Sequence, residues 1–150
     1  MQATIEKHIE LKAPVSRVWR ALTDYRQFGQ WFRVHLEGPF LPGKSTGGFI
    51  TWPGYEHLRM DVIVQKIEPE THFSFTWHPY AIDPKVDYSQ EAPTLVAFTL
   101  APAPIGTSLT IVESGFENIP PARLADAFRM NDSGWSQQLS NIETYVSQTP

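Results

Sequence analysis

In the stretch "ATIEKHIELKAP", residues 3–14, Ile5, Ile9 and Leu11 alternate with Glu6, His8 and Glu10. A period of two predicts a strand with one buried face, Lys7 being the exception on its apolar side. Pro14 suits a first helical position, and Val15, Val18, Trp19 and Leu22 recur at helical spacing, so a short helix ending near Thr23 and Asp24 follows. "DYRQFGQWF" predicts a second short helix, interrupted by Gly29 and anchored by Phe28, Trp31 and Phe32. "RVHLE" and "GFITW" then read as strands on either side of a Gly/Pro-rich loop.

The clearest alternation lies in "LRMDVIVQKIEPETHFSFTWHPY", which predicts two strands around a tight turn at Glu68 to Thr71. If Ile67 opposes His72, the antiparallel register pairs Val64 with Phe75, Val62 with Trp77 and Asp61 with His78. The apolar side chains then share one face, and Arg59, Asp61, His78 and Tyr80 share the other. Residues 78–93 form a long, acidic, Pro-bearing loop, more than a hairpin needs. "LVAFTL" and "TSLTIVESGF" predict a further strand pair around "APAPIG". Val96, Phe98 and Leu100 share a face, but the turn length leaves open whether Glu113 or Ser114 joins it.

Finally, Leu124, Phe128, Trp135, Leu139, Ile142 and Val146 form a stripe spaced by threes, fours and one seven, after a Pro at a plausible helix start. This predicts a long amphipathic helix. Gly134 costs it about 1 kcal/mol relative to Ala, which suggests a close approach or a bend there. Strand, two short helices, a run of about six antiparallel strands and one long helix make an α+β fold with the helix laid across one sheet face.

Composition narrows the function. A chain of 150 residues is one ordinary domain, able to bury roughly 70% of the surface of its unfolded form. With no cysteine, disulfides, thiolate nucleophiles and Cys-ligated metals are excluded. The net charge is -4 and no basic run occurs, so nucleic acid is not an expected partner. "MQATIEKHIELKAP" lacks the continuous apolar segment of a secretory signal and no stretch resembles a membrane span, which predicts a cytoplasmic protein. No cofactor is expected. The five histidines form no H-x-x-x-H pair, and His72 and His78 on one strand would stand roughly 20 Å apart, so no metal site is expected.

Two catalytic patterns occur as text in "GPFLPGKSTGG". Gly38, Gly43, Lys44 and Ser45 fit a phosphate-binding loop, and Gly43, Ser45 and Gly47 fit a hydrolase elbow. Pro39 and Pro42 remove backbone donors, and a strand rather than a helix follows, so a hairpin loop between two strands is the better reading. Asp61 beside His78 could orient a base, though a surface ion pair is the commoner outcome. Glu113, if it faces the helix, would place a carboxylate in an apolar chamber as an acid or a ligand anchor; facing outward, it would be a solvated strand residue.

Three stretches, "APVSRVWRALTDYRQFGQWF", "GTSLTIVESGF" and "GWSQQLSNIETYV", resemble signature segments of the Hsp90-ATPase-activator-like branch of the START-like, or Bet v 1-like, superfamily. The resemblance implies a helix-grip fold: an antiparallel sheet of about six to seven strands around a long C-terminal helix, with two short helices after the first strand. It also implies a hydrophobic cavity between sheet and helix for a small apolar molecule such as a lipid, aromatic or polyketide-like compound. On the reading above, that cavity would be lined by Phe32, Trp52, Met60, Val62, Phe75, Trp77, Phe98, Phe116, Phe128, Trp135 and Leu139. The family carries no universal catalytic residues, so the expectation is a binding protein rather than an enzyme. One alternative is a cyclase-, aromatase- or hydrolase-like enzyme using Glu113, His78 or Tyr80. Another is an Hsp90-type co-chaperone or interaction module, motivated by the acidic loop from Asp83 to Glu91. The eukaryotic co-chaperone has a further N-terminal domain, whereas this chain begins at its first strand, which weighs against Hsp90 as partner. Monomer and homodimer both stay open.

Overall fold

The computed structural model describes residues 4–83 and 85–148. Ala3 of the first predicted strand, the start of the stretch read as leader-free, and Pro84 of the long loop lie outside them. Strand β1 (Ile5–Leu11) leads into helices α1 (Val15–Thr23) and α2 (Tyr25–Phe32). Strands β2 (Val34–Leu36), β3 (Ser45–Ile50), β4 (Arg59–Glu68), β5 (His72–Trp77), β6 (Thr94–Ala103) and β7 (Gly106–Ser114) follow, and α3 (Pro121–Gln148) ends the chain. The seven strands form one antiparallel sheet in the order β1-β7-β6-β5-β4-β3-β2. With α3 packed across its inner face, this is the helix-grip arrangement of an α+β fold.

Local chemistry sets most boundaries. Pro121 opens α3, where its missing N–H and fixed φ cost nothing. Pro14 instead stands just outside α1, in extended conformation, so that helix begins one residue later than expected. Asp24 ends α1 and caps α2, its carboxylate accepting the backbone N–H groups of Arg26 and Gln27. Gly29 does not interrupt α2; a Cβ there would collide with the Val34 carbonyl, so glycine lets β2 leave the helix end closely. Gly48 serves the same purpose where β3 crosses His35, where a side chain would strike backbone.

Three expectations about the strands are corrected. Strand β3 runs from Ser45 to Ile50, so Ser45 lies in the strand rather than between strands, and Thr51 and Trp52 lie beyond it. At the β4–β5 turn Glu68, not Ile67, opposes His72, and a bulge between Val64 and Lys66 absorbs the offset. Val64 consequently opposes Phe75 as expected, but the pairing ends at Ile63 and Thr76. Asp61 and His78 are therefore not partners: Asp61 binds Arg59, and His78 Nε2 donates to the Glu91 carbonyl at 3.0 Å.

Between β6 and β7 the register resolves the open parity. Val96 opposes Glu113, Phe98 opposes Ile111 and Leu100 opposes Leu109, all pointing inward. The inner face is packed with rings: Phe28, Phe73, Phe75 and Phe98 are fully buried, with Phe75 against each of the other three, and the Trp135 ring of α3 sits 5.8 Å from that of Phe98 and 5.7 Å from that of Trp77. Lys7, the odd residue of β1, reaches across to α3 and pairs with Asp132 at 3.0 Å.

Candidate functional site

The inward register of β7 leaves Glu113 completely buried. Burying a carboxylate is prohibitive unless its lone pairs are filled, and here five hydrogen bonds fill them. Oε1 accepts from Trp135 Nε1 at 2.8 Å and Asn131 Nδ2 at 2.9 Å. Oε2 accepts from Thr94 Oγ1 at 2.6 Å, Trp77 Nε1 at 2.8 Å and Asn131 Nδ2 at 3.1 Å. The donors come from β5, β6 and α3, so one side chain ties the sheet to the long helix. Among the described residues no Lys or Arg forms an ion pair with it. Glu113 thus acts as an anchor for other side chains.

Two open hollows adjoin this network. A cleft of about 520 Å³ lies beside β4 and the end of β5, with Phe32, Met60, Trp77 and Asn131 toward the interior. Arg59, Asp61, His78 and Tyr80 bring polar groups to it. A smaller recess of about 160 Å³ lies between the end of α2 and α3, lined by Phe32, Trp77, Asn131, Gly134, Trp135 and Gln138. Phe32, Trp77 and Asn131 belong to both. The rings of Phe28, Phe73, Phe75 and Phe98 pack the neighbouring core.

The cleft is held from two sides. On one, Arg59 donates to Glu37 Oε1 at 2.6 Å and Asp61 Oδ1 at 3.0 Å. The hydrogen bond and charge of Arg59 hold the Glu37 carboxyl below its ordinary value of 4.5, and Glu37 in turn pushes the guanidinium further up. On the other, Arg123 in the first turn of α3 grips the residues after β5. It binds both oxygens of Glu91 at 2.6 and 3.2 Å, donates to the carbonyls of Pro79 and Tyr80 at 3.0 Å each, and lies over the Tyr88 ring. Tyr80 is held in the left-handed region at φ 52°, a conformation uncommon for a residue with a side chain. Farther along, Asp87 is held below the carboxylate range by hydrogen bonds from Ser89.

The residues singled out in the sequence divide sharply. Phe32, Met60 and Trp77 line the cleft and Trp135 the recess, whereas Val62, Phe75 and Phe98 are buried in the ring core. Phe116 and Phe128 pack against each other at 5.2 Å, away from both hollows, and Leu139 packs against the core. Trp52 lies on the surface, 37% exposed under the Arg33 guanidinium. His78 and Tyr80 meet at the cleft, but Glu113 does not line it. Asn131, Thr94 and Arg123 escaped the sequence reading. Asn131 stands one helical turn before Trp135, a spacing that places it on the same inward face.

Gly134 gives a second correction. Close packing does not explain it, since a Cβ there would meet nothing within 4 Å, and α3 continues as helix on both sides of it. Its bare backbone forms part of the recess wall. Among the described residues no group of three His, Asp or Glu side chains is gathered as a metal site would require, and no helix is long and apolar enough to cross a membrane.

Several solved structures share this architecture. Protein MLL2253 from Mesorhizobium loti is 26% identical, with a TM-score of 0.77 over 98% of each chain. DynU16, from the dynemicin biosynthetic locus, is 25% identical with a TM-score of 0.75; the match covers 98% of this chain and 48% of that one. The Aha1 dimer from Colwellia psychrerythraea, 18% identical over 95% of each chain with a TM-score of 0.73, shares the fold. Among curated proteins none matches the sequence. The family described as Activator of Hsp90 ATPase homolog 1-like protein matches residues 12–147, and with nearly the whole chain so matched, this protein belongs to that family.

Proposed function

We propose that the protein binds a small, largely apolar molecule in the cleft between β4 and the residues following β5. The observation that carries this reading is the cleft itself, about 520 Å³ with aromatic and aliphatic walls and a few placed polar groups. Ligand sites span roughly 300–1,000 Å³ and have this composition. The likeness to DynU16, a protein from a biosynthetic locus, favours a small organic molecule as the occupant. The cyclase- or hydrolase-like alternative has less support in the geometry: of its three candidate residues Glu113 is sealed within its donors, and of the two that reach the cleft, His78 and Tyr80, His78 has its Nε2 engaged by the Glu91 carbonyl.

Native mass spectrometry of the purified protein, followed by thermal-shift screening of lipids, aromatics and polyketide-like compounds, tests the proposal. At a hundred times its Kd a ligand stabilises the fold by about 2.7 kcal/mol, which raises Tm by roughly 5–10 °C for a chain of this size. Ala81→Trp, which places an indole in the cleft, is expected to weaken that ligand at least tenfold. A panel in which no compound shifts Tm or is retained would overturn the proposal.

A further inference from the structure

Building on the proposed binding function, the structure assigns the recess beside Gly134 to one end of the ligand: a single aromatic ring bearing an O–H or N–H donor, which hydrogen-bonds to Asn131 Oδ1. Most polar groups of the wall are already engaged. Trp77 and Trp135 both spend their indole N–H groups on Glu113. Gln138 donates to the Phe32 carbonyl at 3.0 Å and accepts from Asn141 at 3.1 Å.

Gln138 keeps a second N–H and a second lone pair but lines only the recess; at the junction of recess and cleft the polar side chain left is Asn131, and its orientation is dictated. Glu113 accepts the amide Nδ2 on both oxygens, so the amide oxygen must turn the other way. Among the described residues Oδ1 receives no hydrogen bond, and it is not sealed from solvent. It is the open side-chain acceptor where recess and cleft meet, and an acceptor selects a donor. Glu113 is thereby a positioning residue: it touches no ligand but fixes which end of the amide the ligand meets.

Size and shape set the rest. A hollow of about 160 Å³ is close to the roughly 150 Å³ of an engineered apolar cavity that accommodates benzene, which matches the volume of one ring. Three of its six lining residues, Phe32, Trp77 and Trp135, are aromatic, a lining suited to a flat ring. The remainder of the ligand extends into the larger cleft past the shared residues Phe32, Trp77 and Asn131.

The test is a ¹H–¹⁵N titration of the full chain with phenol and with anisole, its methyl ether, following the indole N–H signals of Trp77 and Trp135 and the Asn131 amide. Phenol is expected to shift these signals and to bind about tenfold tighter than anisole, the cost of one hydrogen bond left unmade. Asn131→Leu should erase that preference while both rings still bind. Gly134→Leu, which projects a side chain into open space rather than into protein, should abolish binding of both. Equal affinity for phenol and anisole in the wild type, or shifts confined to other residues, overturns the assignment. If larger ligands nevertheless stabilise the protein and respond to Ala81→Trp, the cleft proposal stands and the recess assignment alone fails.

Discussion

Glu113 is the one charged residue on the inward face of β7, beside Thr107, Leu109 and Ile111, and its five hydrogen bonds decide what a substitution there does. Glu113→Gln keeps the shape but replaces an acceptor with an amide N–H₂, which must face at least one indole N–H donor. A buried donor left unmet costs about 1–3 kcal/mol, so urea denaturation is expected to show a loss of that size. Unchanged stability would mean that the network does not hold the helix to the sheet. At the surface, Glu37 titrates below 4.5 because of Arg59. A carboxylate with a folded value below its unfolded one adds stability that is present above the unfolded value and lost as pH falls through the folded one. The Glu37–Arg59 pair is thus constant from pH 6 to 8 and fails only in acid. In Arg59→Met the Glu37 carboxyl, followed by ¹³C NMR, should titrate closer to 4.5.

The sequence left Glu113 undecided for an identifiable reason. Pro102 and Pro104 made "APAPIG" read as loop, whereas β6 extends to Ala103 with Pro102 paired opposite Thr107. A turn of the wrong length changes side-chain parity, and one residue of slip reverses every side chain. Asn131 and Thr94 were overlooked because neutral polar residues in an amphipathic pattern read as outer-face positions unless the buried partner is already known.

Among the helices and loops, α3 carries the most exposed predictions. Gly134→Ala is expected to stabilise the protein by up to about 1 kcal/mol, since the helix gains propensity and the new methyl meets nothing. The same change narrows the recess, so stability and phenol affinity should move in opposite directions in one variant. Arg123 is the clasp on the residues after β5, and Arg123→Met should speed hydrogen exchange at the Glu91 amide at least tenfold, whereas exchange in β6 and β7 should be unaffected. The β4–β5 hairpin shows how an expectation can be right away from the turn and wrong at it. The hydrophobic face demanded Val64 opposite Phe75, and the bulge at Gln65 reconciles that demand with a turn one residue tighter than supposed.

Taken as a whole, the molecule follows the order of elements that hydrophobic periodicity predicts, because each helix stripe and strand face had to meet the same core. The interior was harder to foresee. Aromatic residues at inward positions are equally compatible with a hollow and with a packed core, and only the geometry of ring against ring separates the two. Here Phe73, Phe75 and Phe98 pack solidly, and open space is displaced to the flank, where Phe32, Trp77 and Asn131 join cleft and recess. The textual phosphate-loop and elbow patterns dissolve for a related reason: Ser45 to Gly48 is strand, with backbone committed to β2 and β4. The most direct measurement is a crystal structure of the protein with the best ligand from the thermal-shift panel. The expected result is electron density between Met60, Trp77 and Tyr80, with a ring beside Gly134 and its donor within hydrogen-bond distance of Asn131 Oδ1. A ligand on the outer sheet face or on the exposed side of α3, with both hollows empty, would contradict it.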